Sequence, residues 1–168
     1  SIETVSDSMT KGVMIDVSKE LKTVNVQDHF EGSNSDVTEL WNQISERLLE
    51  FEETYLESIP RYISLSYNQK KVCFIYVQKS KMIIELNRGN LRVDGSKQKN
   101  FFTLDDPKNI SKENTWTYKS GVQGGKYKIP VTKNTNIDYL IYLIKQKYVN
   151  ILNGWTRENW IVRMCRIW

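Results

Sequence analysis

The chain has one histidine, two cysteines, three prolines and eight glycines in 168 residues. A single imidazole, His29, excludes a histidine-rich metal centre and any relay between two imidazoles. Cys73 sits inside an apolar run and Cys165 in the tail, which is neither a zinc spacing nor a disulfide framework, so both read as reduced structural thiols. No apolar run approaches the roughly 20 residues that cross a bilayer, and the polar N-terminus carries no signal-peptide pattern. A cytoplasmic protein with no membrane partner is expected. With so little Gly and Pro, and 39% hydrophobic against 26% charged residues, the composition is that of a globular chain and not a low-complexity one. Its length suits one domain with appended segments.

Acidic residues are missing altogether from residues 61–84, and this scarcity is part of a larger asymmetry. Residues 1–60 hold four Lys/Arg against thirteen Asp/Glu, net −9, whereas residues 61–168 hold twenty against seven, net +13. Charge segregated in this way attracts a polyanion or docks an acidic surface.

Residues 1–30 are polar and without helical period, with two short apolar pieces, 12–17 and 21–26. They read as a linker or edge-strand segment, and an opening Ser1 is consistent with a piece of a larger protein. Residues 31–154 read as a single domain. Val37, Leu40, Trp41, Ile44, Leu48, Phe51 and Tyr55 recur at steps of three and four, predicting a helix from Asn34 that Ser35 or Asp36 caps and Pro60 stops at Ser58. Strands follow at 61–67, 72–77 and 82–86, joined by brief polar links, as in an antiparallel meander. In the middle run both alternating faces are apolar, which predicts a central strand covered on each side by helices. Residues 87–114 form a polar excursion plugged by Phe101 and Phe102. Two more strands, 116–118 and 126–131, flank a glycine turn, and Ile137, Leu140, Ile141, Ile144, Tyr148 and Ile151 predict a second helix, opened by Thr135 or Asn136 and closed near Gly154. Residues 155–168 read as an aromatic and basic tail that forms a short third helix. The expected class is therefore α+β, an antiparallel sheet of about five strands packed with two main helices.

No catalytic pattern withstands inspection. Glu85 falls where metal-dependent nucleases carry a Glu-x-Lys pair, but Asn87 occupies the lysine position and the preceding strands supply no Asp. "SGVQGGK" at 120–126 has the glycines of a phosphate loop, yet it continues into a strand where that loop needs a helix N-terminus. His29 reads as N-terminal packing and Asp105-Asp106 as a turn before Pro107. No catalytic residue, metal or cofactor is expected, and the chain is read as no enzyme. Nucleic-acid binding has more support: Lys70, Lys71, Lys79, Lys81 and Arg88 cluster at hairpin turns as candidate phosphate contacts. Tyr67, Tyr76, Phe101, Trp116 and Tyr118 offer stacking faces nearby. The alternative is a protein-interaction or oligomerisation module that uses Trp155, Trp160 and Trp168 of the tail as apolar anchors.

The segments "ESIPRYISLSYNQKKVCFIYVQKSKMIIELN", "FTLDDPKNIS" and "GGKYKIPVTKNTNIDYLIYLIKQKYVN" together resemble an uncharacterised prokaryotic domain family labelled "predicted transport protein". The likeness lies in Tyr62 to Tyr67, Val77 to Lys81, Asp105 to Lys108, Trp116 and Asn136 to Tyr139, within residues 28–150. A His-Trp-Gly usual in that family is Asn114-Thr115-Trp116-Thr117 here. The resemblance implies company with nuclease-like modules of restriction and antiviral defence and no established catalytic residues. The reading is an accessory domain that positions such a nuclease on nucleic acid, most simply DNA.

Overall fold

The computed structural model describes the backbone of residues 23–167 and the side chains of residues 23–154. After a short 3₁₀ turn at Val26–Phe30 come α1 (Ser35–Leu48) and the strands β1 (Thr54–Ile59), β2 (Tyr62–Tyr67), β3 (Lys70–Val77), β4 (Met82–Asn87), β5 (Lys112–Thr117) and β6 (Gln123–Val131). The last element is α2 (Ile137–Ile167). The strands form one antiparallel sheet in the order β1-β2-β3-β4-β6-β5. The fold is α+β, as the sequence pattern implies.

The sixth strand comes out of the first predicted helix, which ends ten residues early. Glu53 has φ 60°, a left-handed conformation that breaks a right-handed helix. Thr54 then caps the exposed carbonyls, its Oγ1 donating to the Phe51 carbonyl at 2.6 Å. Residues 54–59 pair with β2 from Thr54↔Tyr67 to Ile59↔Tyr62, so Pro60 and Arg61 form a two-residue hairpin turn and Pro60 is a corner, not a helix stop. At the other end of α1, Asn34 holds the N-cap position without a side-chain cap bond. Neither Ser35 nor Asp36 takes that place.

Gly154 does not close the second helix, whose backbone runs on through Ile167. Glycine inside a helix costs only about 1 kcal/mol relative to alanine, and here its bare Cα receives Asn100, whose Oδ1 would lie 3.4 Å from an added Cβ. Asn136 opens this helix as expected, its Oδ1 accepting from the Tyr139 N–H at 3.0 Å.

The core lies on one face of the sheet. Ile63, Leu65, Cys73, Ile75, Met82, Ile84, Leu86, Ile129 and Val131 are buried there with Leu40, Ile44 and Leu48 of α1 and Leu140, Leu143 and Ile144 of α2. The apolar residues on both sides of β3 have another cause than cover on each side. The β2–β3 register slips between Leu65 and Ser66, and the extra residue turns Val72 and Cys73 into the core together. Beyond the bulge Phe74 and Tyr76 lie on the opposite face, half-buried against Tyr62. Among the described residues no helix covers that face. The 12–17 segment lies outside the described residues, and Val24 donates its N–H to the Ser58 carbonyl at 3.0 Å.

Candidate nucleic-acid interface

Strand alternation sorts the side chains of the open face. Cross-strand pairs place Ser64 with Phe74, Phe74 with Glu85, Tyr76 with Ile83, Glu85 with Lys128, Asn87 with Lys126, and Asn114 and Trp116 with Lys126 and Gly124. Tyr62, Phe74 and Tyr76 form one aromatic group, with the Tyr62 ring 5.0 Å from Phe74 and 5.8 Å from Tyr76. Trp116 forms a second beyond β6, edge-on to the exposed Tyr118 at 6.3 Å.

A glycine pair makes the second group possible. A Cβ on Gly124 would come within 2.4 Å of the Trp116 indole nitrogen, and one on Gly125 within 2.5 Å of the Arg88 guanidinium carbon. Consecutive strand residues face opposite sides, so the indole lies flat on the open face while the guanidinium lies flat beneath it.

Among the described residues cations outnumber carboxylates on this surface. Lys71, Lys112, Lys126 and Lys128 stand on it by register, Arg61 joins them at the β1–β2 turn, and the acids are Glu57 and Glu85. Glu85 is 7% exposed; its Oε1 accepts from Lys126 Nζ at 2.9 Å and its Oε2 lies 3.8 Å from Lys128 Nζ. Glu57 accepts from Lys71 at 2.9 Å and from Ser66 at 2.9 Å. The Lys71 hydrogen bond, helped by Ser66, holds the Glu57 carboxyl below its ordinary range despite partial burial. Lys126 also stands 5.9 Å from the Trp116 ring. Between the aromatic groups lies a depression of about 290 Å³ lined by Arg61, Tyr76, Gln78, Ile83, Lys126 and Lys128, with Glu85 in its floor. Burial, more than Glu85, raises the Tyr76 hydroxyl above its usual value, while Arg61 opposes the shift, so the phenol keeps its proton at neutral pH.

The five cations singled out by sequence do not come together. Lys70 and Lys71 start β3 and Lys79 and Lys81 follow its other end, a span of about 25 Å for eight strand residues. Lys71 is engaged by Glu57. Lys81 continues the open-face alternation, and its turn borders the depression through Gln78, whose N–H donates to the Lys81 carbonyl at 2.9 Å. Arg88 is a correction: its side chain is only 4% exposed, bonds Glu113 at 2.9 Å and Gln123 at 3.3 Å, and stacks over Phe101 at 5.1 Å. It cross-links β4, β5, β6 and the excursion, and a phosphate cannot reach it without breaking that set. Of the five aromatics, Tyr67 is in the core and Phe101 carries Arg88 and Lys97, leaving Tyr76, Trp116 and Tyr118 on accessible surface. Sequence reasoning missed Lys126 and Lys128, although their alternation with Tyr127, Ile129 and Val131 marks them as outward-facing.

His29 is bonded through Nε2 to the Ser58 hydroxyl at 2.9 Å, fastening the 3₁₀ turn to β1. Asp106 accepts from Ser111 N–H at 2.8 Å and Oγ at 2.7 Å and from the Tyr139 hydroxyl, and Asp105 accepts from Tyr142 at 2.9 Å. Burial alone would raise the Asp106 carboxyl; the Tyr139 and Ser111 bonds outweigh it and lower the pKa. Both aspartates thus anchor the excursion to α2. Residues 120–126 span the end of the β5–β6 turn and the start of β6, with Gly121 at φ 88°. Among the described residues no three His, Cys, Asp or Glu side chains could share a metal ion, and no helix is long and apolar enough to cross a membrane. Trp155 and Trp160 fall on the helical backbone of α2, with their side chains outside the described residues, as is Trp168 entirely. No family model, curated protein or solved structure matches the chain.

Proposed function

We propose that this chain is a non-catalytic, cytoplasmic accessory module that holds a single strand of nucleic acid, most simply DNA, on its open sheet face for a partner nuclease. The observation that carries the reading is the combination on one rigid surface of ring faces and unbalanced positive charge. Tyr62, Tyr76 and Trp116 offer surfaces on which unpaired bases stack, and Arg61, Lys81, Lys112 and Lys128 stand where a backbone passing over those rings places its phosphates. An unpaired strand fits better than a duplex because the rings lie on a broad sheet and not on a helix or ribbon shaped for a groove. The nuclease partner rests on the resemblance of residues 28–150 to domains that accompany such modules.

Binding of a fluorescently labelled single strand tests the reading. Trp116→Ala is expected to weaken binding about tenfold, within the ~1–3 kcal/mol that one stacked base supplies, with the thermal midpoint nearly unchanged because the ring is surface-lying. Unaltered affinity would remove Trp116 from the interface. A second reading has its own observation: α2 runs on to Ile167, so the tail bearing Trp155 and Trp160 has a helical backbone suited to docking a partner or a second copy. Loss of self-association on truncation after Gly154, with strand binding retained, assigns that role to the tail.

A further inference from the structure

Behind the start of β3, away from the open face, Lys70, Lys71, Asn100, Lys147, Asn150 and Ile151 enclose a cavity of about 120 Å³. Among the described residues no carboxylate lines it. Lys147 is 8% exposed and has two described partners, the Asn87 carbonyl at 3.0 Å and the Phe102 ring at 5.2 Å. An ammonium group has three donors, so part of its capacity is unused among the described residues. Lys70 makes none of the ion pairs of the described residues, whereas Lys71 is committed to Glu57 and Ser64. Burying a cation without a counter-charge is expensive, and a nonpolar side chain of similar length would fill the position at lower cost. Two carboxamides, of Asn100 and Asn150, add N–H donors at the rim, and Asn100 is held there with φ 67°.

We propose that this cavity is an oxyanion site that takes a tetrahedral phosphate group between Lys147, Lys70 and the carboxamides of Asn100 and Asn150. The chemistry is that of a free phosphate or of the terminal phosphate of a nucleic-acid strand. The cavity has room for a group of a few heavy atoms and not for a nucleoside. Phosphate oxygens accept from all of the donors available, and the charge of Lys147, uncompensated among the described residues, becomes paired. The site shares none of the aromatic residues of the open-face interface, and Lys71, which borders both, is held by Glu57 and Ser64.

Thermal unfolding with inorganic phosphate is the test. A saturable rise in midpoint is expected for the wild type, lost in Lys147→Met and in Asn100→Asp, and retained in Arg61→Ala/Lys128→Ala, so that failure of the open-face reading leaves this result intact. Asn100→Asp keeps a residue that tolerates positive φ and sets a carboxylate at the mouth, so it decides the matter if Lys147→Met does not fold. The source is read from matched oligonucleotides: about tenfold tighter binding of a 5′-phosphorylated than of a 5′-hydroxyl strand, abolished by Asn100→Asp, assigns the strand terminus. Equal binding of the two, with the phosphate response present, assigns free phosphate. Absence of any midpoint shift with phosphate, or the same shift in both cavity variants, overturns the site.

Discussion

At the scale of single residues, Lys147 has the clearest energetic signature. Burial pushes its ammonium down to about 8, below the ~10.4 of an unfolded lysine. Between those values the unfolded chain binds the extra proton, so stability contributed by this position rises with pH through that window. Its partners among the described residues are the Asn87 carbonyl and the Phe102 ring, and Lys70, Lys71, Asn100 and Asn150 line the same cavity, none of them acidic. Lys147→Met is therefore expected to be more stable than the wild type at pH 7, with the difference in denaturant midpoint shrinking as pH rises from about 8 toward 10. A wild type that is the more stable protein at pH 7 in the absence of phosphate would contradict this account. The glycine pair separates packing from binding. Gly125→Ala drives a methyl into the Arg88 guanidinium and is expected to cost about 1–3 kcal/mol, as overpacking at a closed site does. Gly124→Ala lifts the Trp116 ring from its seat, where the ring can swing into solvent, so strand affinity should fall more than stability.

At the scale of elements, the strands are legible because two-residue alternation and short polar links survive in sequence. The end of α1 is not, because the apolar steps of three and four continue through Phe51 to Tyr55 after the backbone has already turned at Glu53. Periodicity carries no information on φ. A non-glycine residue in the left-handed region costs roughly 1 kcal/mol, so Glu53→Gly should be neutral or stabilising by up to that amount, and Glu53→Val destabilising, in chemical denaturation. If both variants lose equal stability, Glu53 is not the break between helix and strand. The bulge at Val72 is similarly hidden: an apolar pair on adjacent positions reads as cover on both faces, whereas one slip of register brings both into a single core. Gly154 misleads in the opposite direction, since glycine permits a helix end without compelling one.

At the scale of the whole molecule, the segregation of charge is visible in the sequence but its placement is not. Nine basic residues within 61–100 look like one cluster; folding sends Lys70 behind the sheet, Arg88 beneath it and Lys79 and Lys81 to the far turn. The replacements, Lys126 and Lys128, arrive from β6, forty residues further on, because antiparallel pairing of β4 with β6 is a non-local event. One sheet thus presents helices and core on one side and rings with cations on the other. Its affinity for a polyanion must come partly from counterion release, which fixes how binding responds to salt. The most direct measurement is the dissociation constant of a short single strand across a range of salt concentrations for the wild type and for Arg61→Ala/Lys128→Ala. The account predicts weaker binding by the double variant and a log–log slope shallower by about 1.4, the value for a single strand with two fewer of its phosphates neutralised. Superimposable salt titrations for the two proteins would contradict it.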